Sequence, residues 1–197
     1  MFFVQLSTMA LSTRVVNVVV TASTNCFIDL HTFSRQVWNV KYNPRKFSGA
    51  SWRLRAASST CVLFSTGAIV CAGARSIFCA KRDIRVYARR LQIYGCPVCL
   101  SPVSIQTITG TLCTDRSTSI DLDNFVSVCR TAPEAGGAAD YSPELFPSAM
   151  LSVNKCHVSV FCTGRVVITG ARTIQQLEEA GVCTISLINR AIDRDSP

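Results

Sequence analysis

Cys96-Pro97-Val98-Cys99 is the pair in this chain best spaced for direct chemistry. Two thiolates separated by two residues can share a zinc ion or cycle as a redox pair. No second pair of that spacing follows, and His31 and His157 are the only histidines. Cys113, Cys156 or His157 would have to complete a metal site by tertiary arrangement alone. The chain has no Gly-rich phosphate loop of standard spacing and no His-centred acid–base constellation. Glu178-Glu179 reads as the solvated face of a helix. The expectation is therefore a non-enzyme with no catalytic residues, no resident metal and no cofactor.

Binding chemistry is better represented. Residues 1–100 hold 13 Lys and Arg against 2 Asp and Glu, whereas residues 101–197 hold 7 against 10. A basic first half suits a polyanion such as nucleic acid. The 11 cysteines sit mostly in apolar runs, such as those around Cys61, Cys71 and Cys162. There they act as small buried hydrophobes in a reducing compartment. No apolar run approaches the roughly 18 residues of a spanning helix, so no membrane is expected. Met1-Phe2-Phe3-Val4 has no basic residue before Arg14 and reads as a leader, not a secretory signal.

These residues are positioned by a repeat. Phe64–Arg75 and Phe161–Arg172 share seven of twelve residues at an offset of 97. Tyr42-Asn43-Pro44-Arg45-Lys46-Phe47 matches Tyr141-Ser142-Pro143-Glu144-Leu145-Phe146 at an offset of 99. Two blocks in the same order at nearly the same offset imply two copies of a unit of roughly ninety residues. The division expected is a leader at 1–13, a first repeat at 14–99 and a second at 100–197, the two repeats making one domain.

Within the first repeat, strands are expected at Arg14–Ala22, Lys46–Arg55, Thr60–Phe64 and Ala68–Ala74. Helices are expected at Asp29–Trp38, with Asp29 as cap, and at Ser76–Tyr94. The second repeat should place strands at Val103–Leu112, Met150–Val153, Cys156–Phe161 and Arg165–Gly170. Its helices should run over Ile120–Cys129 and Thr173–Arg190. Thr131–Asp140, rich in Ala and Gly, reads as an inserted loop. Hairpins with one long helix per unit make an α+β fold: an antiparallel sheet covered on one face and open on the other.

The motifs Tyr42–Phe47, Val62–Gly67, Val70–Arg75, Tyr87-Ala88-Arg89, Pro143–Pro147 and Thr169–Arg172 together resemble the conserved core of the TATA-box-binding protein family, including its related factors. The resemblance spans Val15 to Arg190. It implies a saddle: two tandem pseudo-symmetric repeats forming one curved antiparallel sheet, with helices on the convex face. It further implies a transcription initiation factor of the nucleus that binds double-stranded TATA-like promoter DNA as a monomer and bends it. The intercalating wedges correspond to Phe47, Phe64, Phe146 and Phe161. Minor-groove contacts correspond to Asn17, Val19, Val70, Thr107, Val167 and Thr169, with Thr107 and Thr109 departing from the family's Asn and Val. Phosphate contacts are expected from Arg45, Lys46, Arg53, Arg75, Arg165 and Arg172, while Ser152 replaces the second repeat's counterpart of Arg53.

On the convex face, Lys81, Arg85 and Arg89 match the family's surface for general transcription factor IIA. Glu144 and Leu145 match its surface for factor IIB. The departures in the second repeat leave an alternative open: a related factor with relaxed or lost TATA specificity, acting mainly as a scaffold for initiation factors.

Overall fold

The computed structural model describes residues 13–114, 119–135 and 139–194. The expected leader, apart from Thr13, lies outside them. The described chain divides into two compact units, 15–108 and 109–194 with Thr13 and Arg14; first unit and second unit below denote the two repeats, whose first strands begin at Arg14 and Ser104.

The first unit contains β1 (Arg14–Ser23), α1 (Leu30–Gln36), β2 (Val40–Lys41), β3 (Gly49–Trp52), β4 (Thr60–Phe64), β5 (Ala68–Ala74) and α2 (Ile77–Ile93). Its strands lie in the order β2-β3-β4-β5-β1 and pair antiparallel. Alternation decides which face is covered. Val18, Val20, Cys61, Leu63, Ile69 and Cys71 point to the helices and are buried, while Asn17, Val19, Val62, Val70 and Ala72 point the other way and stay half-exposed. α2 buries Ala80, Ile84, Tyr87, Ala88 and Leu91 at helical spacing. Asp29 caps α1 by accepting from the amides of His31 and Thr32, as its sequence position predicts.

Trp52, fully buried, joins these layers. Its ring meets Phe33 of α1 and Tyr87 of α2 edge-on, each at 5.1 Å. Its indole N–H has no hydrogen-bond partner among the described residues. Asp83 is the buried charge of α2. Its Oδ2 accepts from the amide and hydroxyl of Ser58, both at 2.8 Å, and from those of Ser59, both at 2.9 Å. Tyr87 completes the anchorage, donating its hydroxyl to the Ser59 carbonyl at 2.8 Å and accepting from the Leu54 amide at 3.1 Å. The loop between β3 and β4 is thus fastened to α2.

The second unit repeats the plan with β6 (Ser104–Cys113), α3 (Leu122–Thr131), β7 (Ala139–Asp140), β8 (Ser148–Val153), β9 (Cys156–Phe161), β10 (Arg165–Ala171) and α4 (Ile174–Arg194). Its order is β6-β10-β9-β8-β7. α4 buries Leu177, Ala180, Thr184, Leu187, Ile188 and Ala191.

The α+β class and the tandem repeats agree with the sequence. Three local expectations do not. Lys46–Arg55 is not one strand. The amides of Lys46 and Phe47 both turn back to the Asn43 carbonyl at 3.0 Å, so pairing starts only at Gly49. It stops after Trp52, where the chain leaves to reach Asp83. Thr131–Asp140 is not a plain loop: Thr131 ends α3, Pro133–Ala135 form a 3-10 turn, and Ala139–Asp140 form β7. Third, burial of the cysteines is partial. Cys61, Cys71, Cys129 and Cys156 are buried, but Cys162, with Cys99 and Cys113, is exposed because it lies in the turn after β9.

Candidate nucleic-acid interface

Each unit's open face ends in a pair of phenylalanines, and both pairs are built alike. Phe47 follows the Pro44–Lys46 turn, and Phe64 is the last residue of β4. Their rings meet at 5.8 Å, nearly edge-on, and Phe47 remains 53% exposed. In the second unit, the amides of Leu145 and Phe146 close onto the Ser142 carbonyl at 2.9 and 3.0 Å, the same turn. Phe146 meets Phe161 at 6.0 Å and is 44% exposed. Water-exposed aromatic pairs at strand ends are not what core packing produces.

The hairpin tips behind Phe64 and Phe161 are held by threonines that no local motif marks. Gly67 and Gly164 turn the chain with φ of 86° and 78° and donate their amides to the Phe64 and Phe161 carbonyls, each at 2.9 Å. The carbonyls of both glycines are then clamped by buried threonines. The Thr24 amide and hydroxyl reach Gly67 at 2.8 and 2.9 Å, and those of Thr114 reach Gly164 at 2.9 and 3.2 Å. Thr24 and Thr114 stand at the same offset, 90, as Asn17 and Thr107. The repeat was the signal that could have found them.

Asn17 lies on the open face of β1. Its Oδ1 accepts from the Gly73 amide at 2.8 Å, which leaves the two amide N–H groups as donors directed away from that bond. Gly73, with φ of 105°, lies beside an irregularity in the β1–β5 register. Val19, on the same face of β1, and Val70, opposite Thr21, are half-exposed apolar residues of this face. In the second unit Val167 and Thr169 occupy the open face of β10, and Thr107 is half-buried on β6.

The predicted cations fall into different settings. Arg53 shares an open recess of about 450 Å³ with Lys41 and Arg55, lined also by Asn39, Ser51 and Thr60. Neither Lys41 nor Arg55 was singled out from the sequence. Arg45 and Lys46 are exposed beside Phe47, and Arg75 follows β5. Arg165 and Arg172 stand at opposite ends of β10, so the fold does not bring them together.

The second unit does not rebuild the recess. Asp140 and Ser152 stand where the repeat has Lys41 and Arg53, and a two-residue Asn154-Lys155 turn, both residues at positive φ, replaces the loop that carries Arg55. The recess with three clustered cations, Lys41, Arg53 and Arg55, thus belongs to the first unit.

Lys81, Arg85 and Arg89 lie on the outer side of α2, around a shallow recess that includes Phe78, 76% exposed. Glu144 and Leu145 are exposed at the tip before Phe146. Cys96 is half-buried and Cys99 exposed. Burial, with Cys26 nearby, pushes the Cys96 thiol up, which disfavours the thiolate that metal or redox chemistry requires. Among the described residues no three His, Cys, Asp or Glu side chains gather as a metal-binding group.

The family model described as "Transcription factor TFIID (or TATA-binding protein, TBP)" matches residues 12–94 and again 103–191. The chain is 33% identical over 188 residues to TATA-box-binding protein 2 of Entamoeba histolytica, covering 91% of this chain and 83% of that protein. It is 33% identical over 162 residues to the TBP-related factor of Drosophila melanogaster, covering 81% and 69%. Among solved structures it is similar to Methanococcus jannaschii TBP, with a TM-score of 0.75, 27% identity, and coverage of 91% of this chain and 99% of the other.

Proposed function

The chain belongs to the TATA-binding protein family of non-enzymatic transcription initiation factors, and on that footing we propose that it binds TATA-like, A·T-rich promoter duplexes through the minor groove and bends them by phenylalanine insertion. The observation that carries this reading is the pair of exposed aromatic contacts, Phe47 with Phe64 and Phe146 with Phe161, at equivalent places on the open face of each repeat. A ring that enters a base step replaces lost stacking with its own, and easily opened steps such as TA are the cheapest to separate. Between the wedges, A·T pairs present only acceptors in the minor groove. The Asn17 amide supplies the matching donor, and Val19, Val70 and Val167 supply apolar contact. Arg53 with Lys41 and Arg55, and the tip residues Arg45 and Lys46, neutralise phosphates, with Arg75, Arg165 and Arg172 as flanking cations.

In this reading the repeats 14–99 and 100–197 act together as one DNA-binding domain, a monomer on promoter DNA in the nucleus. The outer face of α2, with Lys81, Arg85 and Arg89 around Phe78, receives factor IIA through charge and an aromatic anchor. Glu144 and Leu145, the latter 86% exposed, receive factor IIB. A second reading has its own observation. Thr107, Thr109 and Ser152 weaken base and phosphate contacts in one repeat only, which favours a related factor with relaxed TATA selectivity that works mainly as a scaffold for initiation factors.

A competition binding assay on a TATA duplex labelled for bend detection by energy transfer, run across a salt series, separates the two. Tight, bent, TATA-selective binding that falls with Phe47→Ala or Phe146→Ala supports the first reading. Weak, unbent, sequence-blind binding refutes it and favours the scaffold.

A further inference from the structure

The open faces of the two repeats differ at three apolar positions of the first that carry hydroxyls in the second. The first unit presents Val19, Val62 and Ala72, whose equivalents in the second are the hydroxyl-bearing Thr109, Ser159 and Thr169; Val70 and Val167 match, while Ser51 and Thr60 are exchanged for Met150 and His157. Ser159 stands in register between Met150 of β8 and Val167 of β10. The next row is Ser152, His157 and Thr169. These groups hold one another weakly: Thr169 Oγ1 lies 3.4 Å from the His157 carbonyl, and Ser152 Oγ lies 3.5 Å from His157 Nδ1. The hydroxyls of Thr109 and Ser159 have no hydrogen-bond partner among the described residues.

This pattern has a meaning in the minor groove, where a G·C pair differs from A·T by the guanine 2-amino group, a donor projecting into the groove. A valine floor offers that donor no acceptor and crowds it, so the amino group is desolvated without compensation. Serine at 159 removes a branch of the side chain and supplies an acceptor, and Thr109 and Thr169 supply two more. We infer that Thr109, Ser159 and Thr169 make the second unit's open face a reading surface that accepts G·C pairs in its part of the site, while Val19, Val62 and Ala72 at the equivalent places of the first unit reject them. The inference rests on the minor-groove reading above. It makes Thr109, Ser159 and Thr169 specificity-determining residues and gives the protein a preferred orientation on asymmetric sites.

The test uses the full chain in the bend-detecting assay with three duplexes: all A·T, G·C pairs in one half, and G·C pairs in both. Either repeat can face either half, so the singly substituted duplex lets the second unit take the altered side. The expected result is binding within about threefold of the all-A·T duplex for one substituted half, and a loss of roughly tenfold or more for two. Inosine in place of guanine, which lacks the 2-amino group, should restore the doubly substituted duplex.

The variant Thr109→Val/Ser159→Val/Thr169→Ala restores the first unit's pattern. It should lose the singly substituted duplex roughly tenfold relative to its own all-A·T binding, whatever Thr169→Ala does to the latter. Ser159→Val alone should move the same way with less burden on folding. Equal rejection of one-half G·C by wild type and variant overturns the inference and leaves the minor-groove reading intact. Absence of Phe47-dependent bending on the all-A·T duplex removes the minor-groove reading, and this inference with it.

Discussion

Replacing Asp83 with alanine should unfold the first unit's link between α2 and the recess that carries Arg53. Four donors at 2.8–2.9 Å converge on Oδ2, from the amides and hydroxyls of Ser58 and Ser59. Arg82 adds a contact to Oδ1 at 3.1 Å, but its side chain is half-exposed, so that contact contributes little. With alanine, the Ser59 amide is stranded in the interior, at about 1–3 kcal/mol, and the charge-assisted bonds to Ser58 are lost as well. These losses are not additive, and the net should be about 3–5 kcal/mol. At a urea dependence of about 2 kcal/mol/M, the midpoint falls by about 1.5–2.5 M. Arg82→Ala, as control, should cost under about 1 kcal/mol.

The pH dependence follows from the same geometry. Burial raises the Asp83 pKa, but hydrogen bonds from Ser58, Ser59 and Arg82 outweigh it and hold the carboxyl below the usual carboxylate range. The stabilisation is therefore complete above the ordinary carboxyl range and is lost as pH falls through the folded-state value. Urea titrations of wild type and Asp83→Asn should converge as pH drops below about 4. A midpoint shift under about 0.5 M for Asp83→Ala, with an unchanged slope, would refute the reasoning, because it would mean that water replaces the carboxylate at no cost.

Gly67→Ala places a Cβ at φ +86° against the Cys26 carbonyl oxygen, so it should destabilise by more than about 2 kcal/mol in chemical denaturation and weaken the Phe64 wedge in the bending assay. Arg53→Ala removes one of the recess cations and should lower the slope of log affinity against log salt by about one, whereas Asp140→Ala should leave affinity the same or slightly higher. Tyr87→Phe removes a buried hydroxyl that both donates and accepts; about 1–2 kcal/mol should be lost by denaturant titration. The same substitution abolishes a phenol whose pKa burial pushes up to about 12, so spectrophotometric titration should lose its most alkaline tyrosine transition.

Residues close in sequence fixed much of this protein in advance. The twelve-residue blocks at Phe64 and Phe161, the Tyr-x-Pro turns and the alternation along β4, β5, β9 and β10 specify the repeat, the hairpins and the placing of all four phenylalanines, because turn chemistry and side-chain periodicity act over a few residues. Lys46–Arg55 shows where such reasoning ends. Its composition suits a strand, but Asn43 and Asp83, the latter some thirty residues away, hold its two ends out of the sheet. Only the tertiary structure decided that Thr24 and Thr114 clamp the wedge-bearing tips, that Lys41, Arg53 and Arg55 share one recess, and that Asp140, Ser152 and a two-residue turn leave the second unit without it. Each of these depends on groups brought together across loops and between strands. Desolvation and hydrogen-bond geometry, which no local pattern encodes, select such pairings when the core closes.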